Sequence, residues 1–129
     1  MTVETRQRTR VQLLAIPEVC WRCGRETRAI VGVKRLEDGR VIHYSHELGE
    51  AIHRCIPNWA LREIGIGALR PRRRAQLTDR LRNTCLHCSA VQGEMPLADA
   101  FEAWFVDGGT LHELEAVELN LRLGGVPAA

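Results

Sequence analysis

The amino-acid sequence predicts an α+β domain with a small antiparallel sheet, a long insert, and a C-terminal helix plus strand. Three observations predict this class. Runs rich in β-branched residues alternate with turn residues, two Cys-x-x-Cys pairs lie far apart, and one apolar helical face occurs near the C-terminus. Because the chain has 129 residues, we expect a single domain over residues 1–129. Hydrophobic residues make up 45% of the chain but aromatic residues only 5%, so we expect a mostly aliphatic core.

The first part of the chain predicts three consecutive strands. Residues 11–16 form a mainly apolar run that we expect to end at Pro17. Residues 28–36 are rich in β-branched residues and predict the second strand. The Asp-Gly dipeptide at positions 38–39 indicates a tight hairpin turn, so residues 41–44 are expected to return as the third strand.

Residues 46–74 are predicted to be an insert between this sheet and the second cysteine pair. Ser45 is a good N-cap residue and predicts a helix at the start of the insert, with Cys55 near its end as a buried apolar residue. Asn58 predicts the cap of another short helix. The basic, proline-containing stretch at 70–74 is interpreted as a link between elements.

The remaining elements follow the insert. Residues 75–84 favour a strand leading into the second cysteine pair, although their leucines also have helical spacing. Pro96 predicts the first turn of a helix over residues 96–107, which the Gly-Gly pair at 108–109 ends. Residues 117–123 alternate apolar and polar side chains and predict a last strand. The expected apolar face of the helix consists of Leu97, Phe101, Trp104 and Phe105.

The two Cys-x-x-Cys pairs predict a metal site. Cys20, Cys23, Cys85 and Cys88 supply four thiolates, and two intervening residues allow both sulfurs of a pair to face one ion. Gly24 permits the left-handed backbone that such loops often need. We therefore predict one structural Zn²⁺ per chain, with iron as the alternative for a four-cysteine site. The separation of the pairs, 61 residues, exceeds that of common zinc ribbons, so the metal would join the two ends of a folded insert.

Other interpretations of the cysteines are weaker. A thioredoxin-like redox centre needs a single Cys-x-x-Cys at a strand-to-helix junction, whereas this chain has two pairs in turn-like settings. Two separate metal sites would need ligands such as His43, His46 or His87. We interpret His87 as a residue of the loop surface, and His43 and His46 as residues at the end of a strand.

The sequence around both pairs resembles a family of small, uncharacterised zinc-ribbon-like proteins of bacteria and phages. The resemblance extends from about Cys20 to Leu97, and Ser89 and Glu94 differ from the glycine and aspartate common in that family. It implies one zinc ion shared by two distant Cys-x-x-Cys loops, and no activity. The matching segments are Cys20-Trp21-Arg22-Cys23-Gly24, Leu69-Arg70-Pro71-Arg72, Asn83-Thr84-Cys85-Leu86-His87-Cys88 and Val91-Gln92-Gly93-Glu94.

Charge is distributed unevenly along the chain. Through Gln92 there are 17 basic and 9 acidic residues, whereas from Gly93 onward there are 7 acidic residues and one arginine. Residues 1–10 are expected to form a flexible basic arm. The sequence has no signal-peptide pattern and no apolar run long enough to cross a membrane, which predicts a cytoplasmic protein without a membrane partner.

These observations favour a non-enzymatic zinc protein that binds nucleic acid or a nucleic-acid-associated complex. One alternative is a protein-interaction or inhibitor module of phage or mobile-element origin, acting through the acidic C-terminal part. Another is a ββα-metal nuclease using His43, His46 and Asn83, for which the sequence lacks the expected catalytic motif. The residues predicted to contact nucleic acid are Trp21, Arg70, Arg72, Arg73 and Arg74, together with Arg6, Arg8 and Arg10 of the arm.

Overall fold

A computed structural model describes residues 7–74 and 77–127, except for the side chains of residues 72–79. Within this part of the chain, six strands and four helices confirm the α+β class. In chain order they are β1 (Arg8–Val19), β2 (Glu26–Arg35), β3 (Val41–His43), α1 (His46–Cys55), α2 (Asn58–Glu63), β4 (Leu69–Arg74), β5 (Leu77–Asn83), α3 (Glu94–Val106), α4 (Leu111–Leu114) and β6 (Glu115–Arg122).

The main sheet has the strand order β3-β2-β1-β6, and all its neighbouring strands are antiparallel. The predicted hairpin between β2 and β3 is confirmed, and Gly39 has a positive φ of 74° in its turn. Because β1 and β2 are central, both of their faces are buried. One face packs against α1, α2 and β4, and the other packs against α3. The sheet therefore lies between two layers of aliphatic side chains.

Pro17 does not end the first strand, as the sequence had suggested, because β1 continues to Val19. Pro17 pairs with Arg28 of β2, whereas β6 pairs with β1 only as far as Leu14. The missing N–H of the proline therefore interrupts no hydrogen bond between β1 and β6. The other end of β1 also differs from the prediction, since residues 8–10 belong to the strand rather than to an arm. Residues 1–6 lie outside the described part.

The predicted link at residues 70–74 is wrong, because these residues form strand β4, which pairs with β5 in a second, two-stranded sheet. Each strand of a two-stranded sheet has a free edge, where Pro71 is tolerated. The strand predicted before the second cysteine pair is confirmed as β5.

The helices confirm some local signals and correct others. Ser45 caps α1 as predicted, and its hydroxyl accepts a hydrogen bond from the Leu48 amide at 3.1 Å. Pro57, not Asn58, occupies the N-cap position of α2. Cys55 was expected to be buried but is exposed, because it is the last residue of α1 and the buried part of this helix ends at Ile52.

Helix α3 begins at Glu94, two residues before Pro96, and ends before the glycine pair. Proline is tolerated there because amides of the first helical turn have no partner within the helix. Leu97 and Phe101 are buried in the core, whereas Phe105, also predicted on the apolar face, is exposed.

Two acidic residues of the C-terminal part form ion pairs with the main sheet. The Glu118 carboxylate accepts a hydrogen bond from the Arg10 guanidinium of β1, with Oε1 at 2.8 Å from Nε. Glu115 pairs with Lys34 of β2, and the hydrogen bond from Lys34 is the main reason why the pKa of Glu115 is lowered. Part of the acidic charge is thus neutralised within the fold. Among the described residues, no helix has the length and apolar character required to cross a membrane.

Candidate metal centre

The four predicted ligand cysteines converge at one point. Their sulfur atoms all lie within 4.8 Å of one another, with Sγ–Sγ distances of 3.6 Å between Cys20 and Cys88 and 3.7 Å between Cys23 and Cys85. A disulfide would bring two sulfurs to about 2.05 Å. Tetrahedral coordination with metal–sulfur bonds of about 2.3 Å separates them by about 3.8 Å. The cluster therefore has the dimensions of a four-coordinate metal site, and it can hold a metal ion.

The two cysteine loops, residues 20–24 (the first knuckle) and residues 85–89 (the second knuckle), have the same hydrogen-bond pattern. In each, the amide of the first cysteine donates to the carbonyl five residues later, at 2.9 Å in one and 2.8 Å in the other. The amide four residues after that cysteine donates back to its carbonyl at 3.0 Å. The sequence of each knuckle thus forms its loop locally.

Ser89 occupies the position that corresponds to Gly24 of the first knuckle. Both residues have left-handed backbone, with φ of 63° for Ser89 and 72° for Gly24. Elsewhere in residues 7–74 and 77–127, every residue with positive φ is a glycine. Ser89 therefore gives the second knuckle the same backbone turn that Gly24 gives the first, although this conformation is unfavourable for an L-residue.

We expect Ser89→Gly to raise the free energy of unfolding by about 0.5–1 kcal/mol. Glycine adopts positive φ without the Cβ clash, and this gain exceeds the additional entropy that glycine loses on folding. Gly24→Ser is the matched control and should lower it by a similar amount. Urea unfolding of the metal-loaded protein measures both values. A stabilising Gly24→Ser or a destabilising Ser89→Gly would contradict the assigned loop geometry.

Hydrogen bonds to sulfur surround the cluster. The backbone amide of Arg22 donates to Cys20 Sγ at 3.4 Å, and that of His87 donates to Cys85 Sγ at 3.3 Å. The buried side chain of Gln92 adds a third contact, from Nε2 to Cys20 Sγ at 3.5 Å. Such donors stabilise thiolates, which are the form of cysteine that binds metal.

The surroundings of Cys20 and Cys88 shift the pKa values of their two thiols in opposite directions. Burial opposes ionisation of Cys20, but hydrogen bonds to its sulfur outweigh burial and lower its pKa to about 6. For Cys88, a hydrogen bond from the Ala90 backbone favours the thiolate. Burial and the neighbouring sulfurs outweigh it and raise the pKa of Cys88 to about 11. A bound cation would supply the positive charge that four adjacent thiolates need.

Reciprocal hydrogen bonds connect the two knuckles. Trp21 of the first donates from its indole nitrogen to the carbonyl of Val91, just after the second, at 2.7 Å. His87 of the second donates from Nε2 to the carbonyl of Glu26, just after the first, at 2.9 Å. The backbone amide of Leu86 also donates a hydrogen bond to the Thr27 hydroxyl at 2.9 Å. The side chain of Trp21 is nevertheless 72% exposed, so its ring remains accessible.

Asn83 positions the second knuckle against the main sheet. Strand β3 pairs only with residues 32–34 of β2, which leaves the edge of β2 at Ile30 without a neighbouring strand. The Asn83 side chain takes the place of that strand. Its Oδ1 accepts from the Ile30 amide at 2.8 Å, and its Nδ2 donates to the Ile30 carbonyl at 2.9 Å. Asn83 is 2% exposed and lies two residues before Cys85.

The residues proposed for a nuclease have other contacts. The Asn83 side chain is hydrogen-bonded to the backbone of Ile30. His46 accepts a hydrogen bond from the Leu81 amide through Nδ1 at 2.9 Å, and its Nε2 lies 3.1 Å from the Glu50 carboxylate. His43 contacts the ring of Phe101 edge-on. In the described chain, the four cysteines are the only group of three or more His, Cys, Asp or Glu side chains close enough to share a metal.

The predicted nucleic-acid residues are located only in part. Arg70 is exposed on β4, but the side chains of Arg72, Arg73 and Arg74 lie outside the described set. The sequence did not indicate Trp59 and Arg62 as site residues. They line a groove only because β4 and the second knuckle pack beside α2 in the folded chain. A groove of about 250 Å³ lies there, which we call the Trp59 groove. Its lining includes Asn58, Trp59, Arg62, Arg70, Thr84 and Ser89.

The fold and the cluster together define an α+β domain whose four cysteines can hold a metal ion. No protein-family model, curated protein or solved structure matches the chain. The resemblance to small bacterial and phage zinc-ribbon-like proteins therefore rests on the motif residues alone.

Proposed function

We propose that this protein is a non-enzymatic domain that is stabilised by one structural zinc ion and binds nucleic acid. The convergence of four cysteine sulfurs at tetrahedral spacing carries the zinc part of the proposal. Four thiolates complete the coordination shell of Zn²⁺, which is the structural rather than the catalytic arrangement. A colourless metal-loaded protein would exclude iron, which remains the alternative metal for this ligand set.

The Trp59 groove supports the nucleic-acid part of the proposal. Trp59 is 66% exposed, so a face of its ring is accessible for stacking on a base. Arg70 lines the same groove from β4, and Arg62 lines it while donating to the Leu86 carbonyl at 3.0 Å. No carboxylate belongs to the lining formed by the described residues. An aromatic platform beside two guanidinium groups is the combination that single-stranded nucleic acid requires.

We expect Trp59→Ala to weaken binding of single-stranded nucleic acid about tenfold, because stacking on one base contributes about 1–3 kcal/mol. Arg70→Ala should also weaken binding and reduce the slope of log affinity against log salt by about one, because one phosphate contact is lost. Fluorescence anisotropy with a labelled single strand and a labelled duplex, at several salt concentrations, measures both effects.

Arg40→Ala is the control for the change in charge, because Arg40 is exposed near the β2–β3 turn and does not line the groove. Trp21→Ala tests separately whether the exposed ring beside the first knuckle contributes, as the sequence predicted. Absence of salt-dependent binding at micromolar protein would refute the nucleic-acid part and leave the zinc part standing.

A second candidate function is that of a protein-interaction module, and the exposed surface of α3 is the observation that supports it. This helix exposes Met95 at 77% and Val106 at 80%, and Asp99 and Glu102 lie at helical spacing between them. An apolar and acidic helix face of this kind fits a basic protein partner. Removing the chain after residue 107 would not test this candidate cleanly, because β6 pairs with β1 in the main sheet. The nucleic-acid titration separates the two candidates.

A further inference from the structure

Three arginines surround a second cleft, which shares no residue with the Trp59 groove. This cleft lies between the C-terminal end of α1 and the β1–β6 pair, and its volume is about 190 Å³. Arg8 comes from β1, Arg54 from α1 and Arg122 from β6, and all three are exposed. The remaining lining residues are Ala51, Cys55 and Asn120. We call this feature the arginine cleft.

The charges of the arginine cleft are not balanced by the described chain. Arg8 and Arg122 are direct partners in the register of β1 and β6, a position in which like charges repel. Within residues 7–74 and 77–127, no carboxylate lines the cleft or forms an ion pair with any of the three arginines. Arg10, two residues along the same strand, is by contrast paired with Glu118.

We propose that the arginine cleft binds a phosphate group, either as the free anion or as a phosphodiester of nucleic acid. Guanidinium groups donate paired hydrogen bonds to phosphate oxygens, and three of them around one cleft can contact one phosphate from several sides. The bound anion would also remove the repulsion between Arg8 and Arg122. Cys55 donates to the Asn120 carbonyl at 3.4 Å and so connects α1 to β6 across the cleft. The free-anion site does not depend on the nucleic-acid function proposed above.

The first experiment titrates the metal-loaded protein with inorganic phosphate at constant ionic strength, using isothermal titration calorimetry. We expect saturable binding that chloride does not reproduce. Arg54→Ala should weaken it about tenfold, because a charge-assisted hydrogen bond is lost. Arg40→Ala is the matched control, because Arg40 is exposed and does not line the arginine cleft, and it should leave phosphate affinity unchanged. Phosphate binding no stronger than that of chloride, or equal affinity in Arg54→Ala and the wild-type chain, overturns the proposal.

A second experiment identifies the source of the phosphate with a short single-stranded oligonucleotide. Loss of both phosphate and oligonucleotide affinity in Arg54→Ala assigns the cleft to the backbone of a nucleic acid. Loss of phosphate affinity alone assigns it to the free anion. Because Trp59→Ala does not alter the cleft, this variant should keep its phosphate affinity even where it loses oligonucleotide binding. A failure of the groove proposal is therefore distinguishable from a failure of this one.

Discussion

Removal of the proposed zinc ion is expected to unfold the protein. Structural zinc sites contribute on the order of 10 kcal/mol at neutral pH, which is comparable to the whole stability of a small domain. The packing around the cluster explains why the loss would not be compensated. Among the described residues, the buried apolar cluster at this end of the molecule contains only Cys20, Cys85 and Ala90, so the contacts left between the two knuckles would be mainly hydrogen bonds.

Cys85→Ser tests this expectation directly, with Cys55→Ser as its matched control. Both remove one thiol, but Cys55 is exposed and does not belong to the four-sulfur cluster. We expect Cys85→Ser to lose most of its bound metal and its cooperative thermal transition, whereas Cys55→Ser keeps about one zinc per chain. Elemental analysis and circular dichroism measure the two quantities. Equal melting temperatures for the two variants would show that the cluster does not stabilise the fold.

Asn83→Ala is expected to lower the free energy of unfolding by about 3 kcal/mol. The substitution leaves the amide and carbonyl of Ile30 without partners in the core, and each unsatisfied buried group costs about 1–3 kcal/mol. Asn83→Asp should not restore stability, because a carboxylate cannot donate to the Ile30 carbonyl and would be a buried charge.

Asn58→Ala provides an internal comparison for Asn83→Ala. The Asn58 side chain makes the same pair of contacts with the backbone of Leu69, at 3.0 Å and 3.2 Å, but it is only partly buried. Because water can replace its hydrogen bonds more easily, we expect a loss of about 1 kcal/mol. Denaturant unfolding at saturating zinc measures both variants. Equal losses would contradict the view that burial determines the cost.

Features formed within a few neighbouring residues could be predicted from the sequence. The knuckles close their hydrogen bonds within six residues, and Ser45 caps α1 through an amide three residues away. The β-branched run and the alternating run likewise placed β2 and β6 close to their final limits, and the position directly before the second cysteine pair predicted β5. The spacing of the cysteines indicated one shared site because four thiolates satisfy one tetrahedral ion.

Other features required knowledge of what lies against each residue. Cys55 is apolar by type but exposed by position, and Pro17 is tolerated because β6 ends its pairing at Leu14. Trp59 gains significance only when β4 and the second knuckle return beside α2. The local sequence does not predict these neighbours, because burial depends on contacts between residues that are distant along the chain.

The sequence by itself determined which four cysteines could hold a metal ion, the α+β class and the local shape of both knuckles. The tertiary structure decided how the insert returns to the first knuckle, through Asn83 and Ile30, which are 53 residues apart. It also decided where positive charge accumulates, since Arg8 and Arg122 face each other only after β1 and β6 have paired. The physical reason is that hydrogen bonds within a loop follow from adjacent residues, whereas strand register and charge clustering follow from the packing of the whole chain.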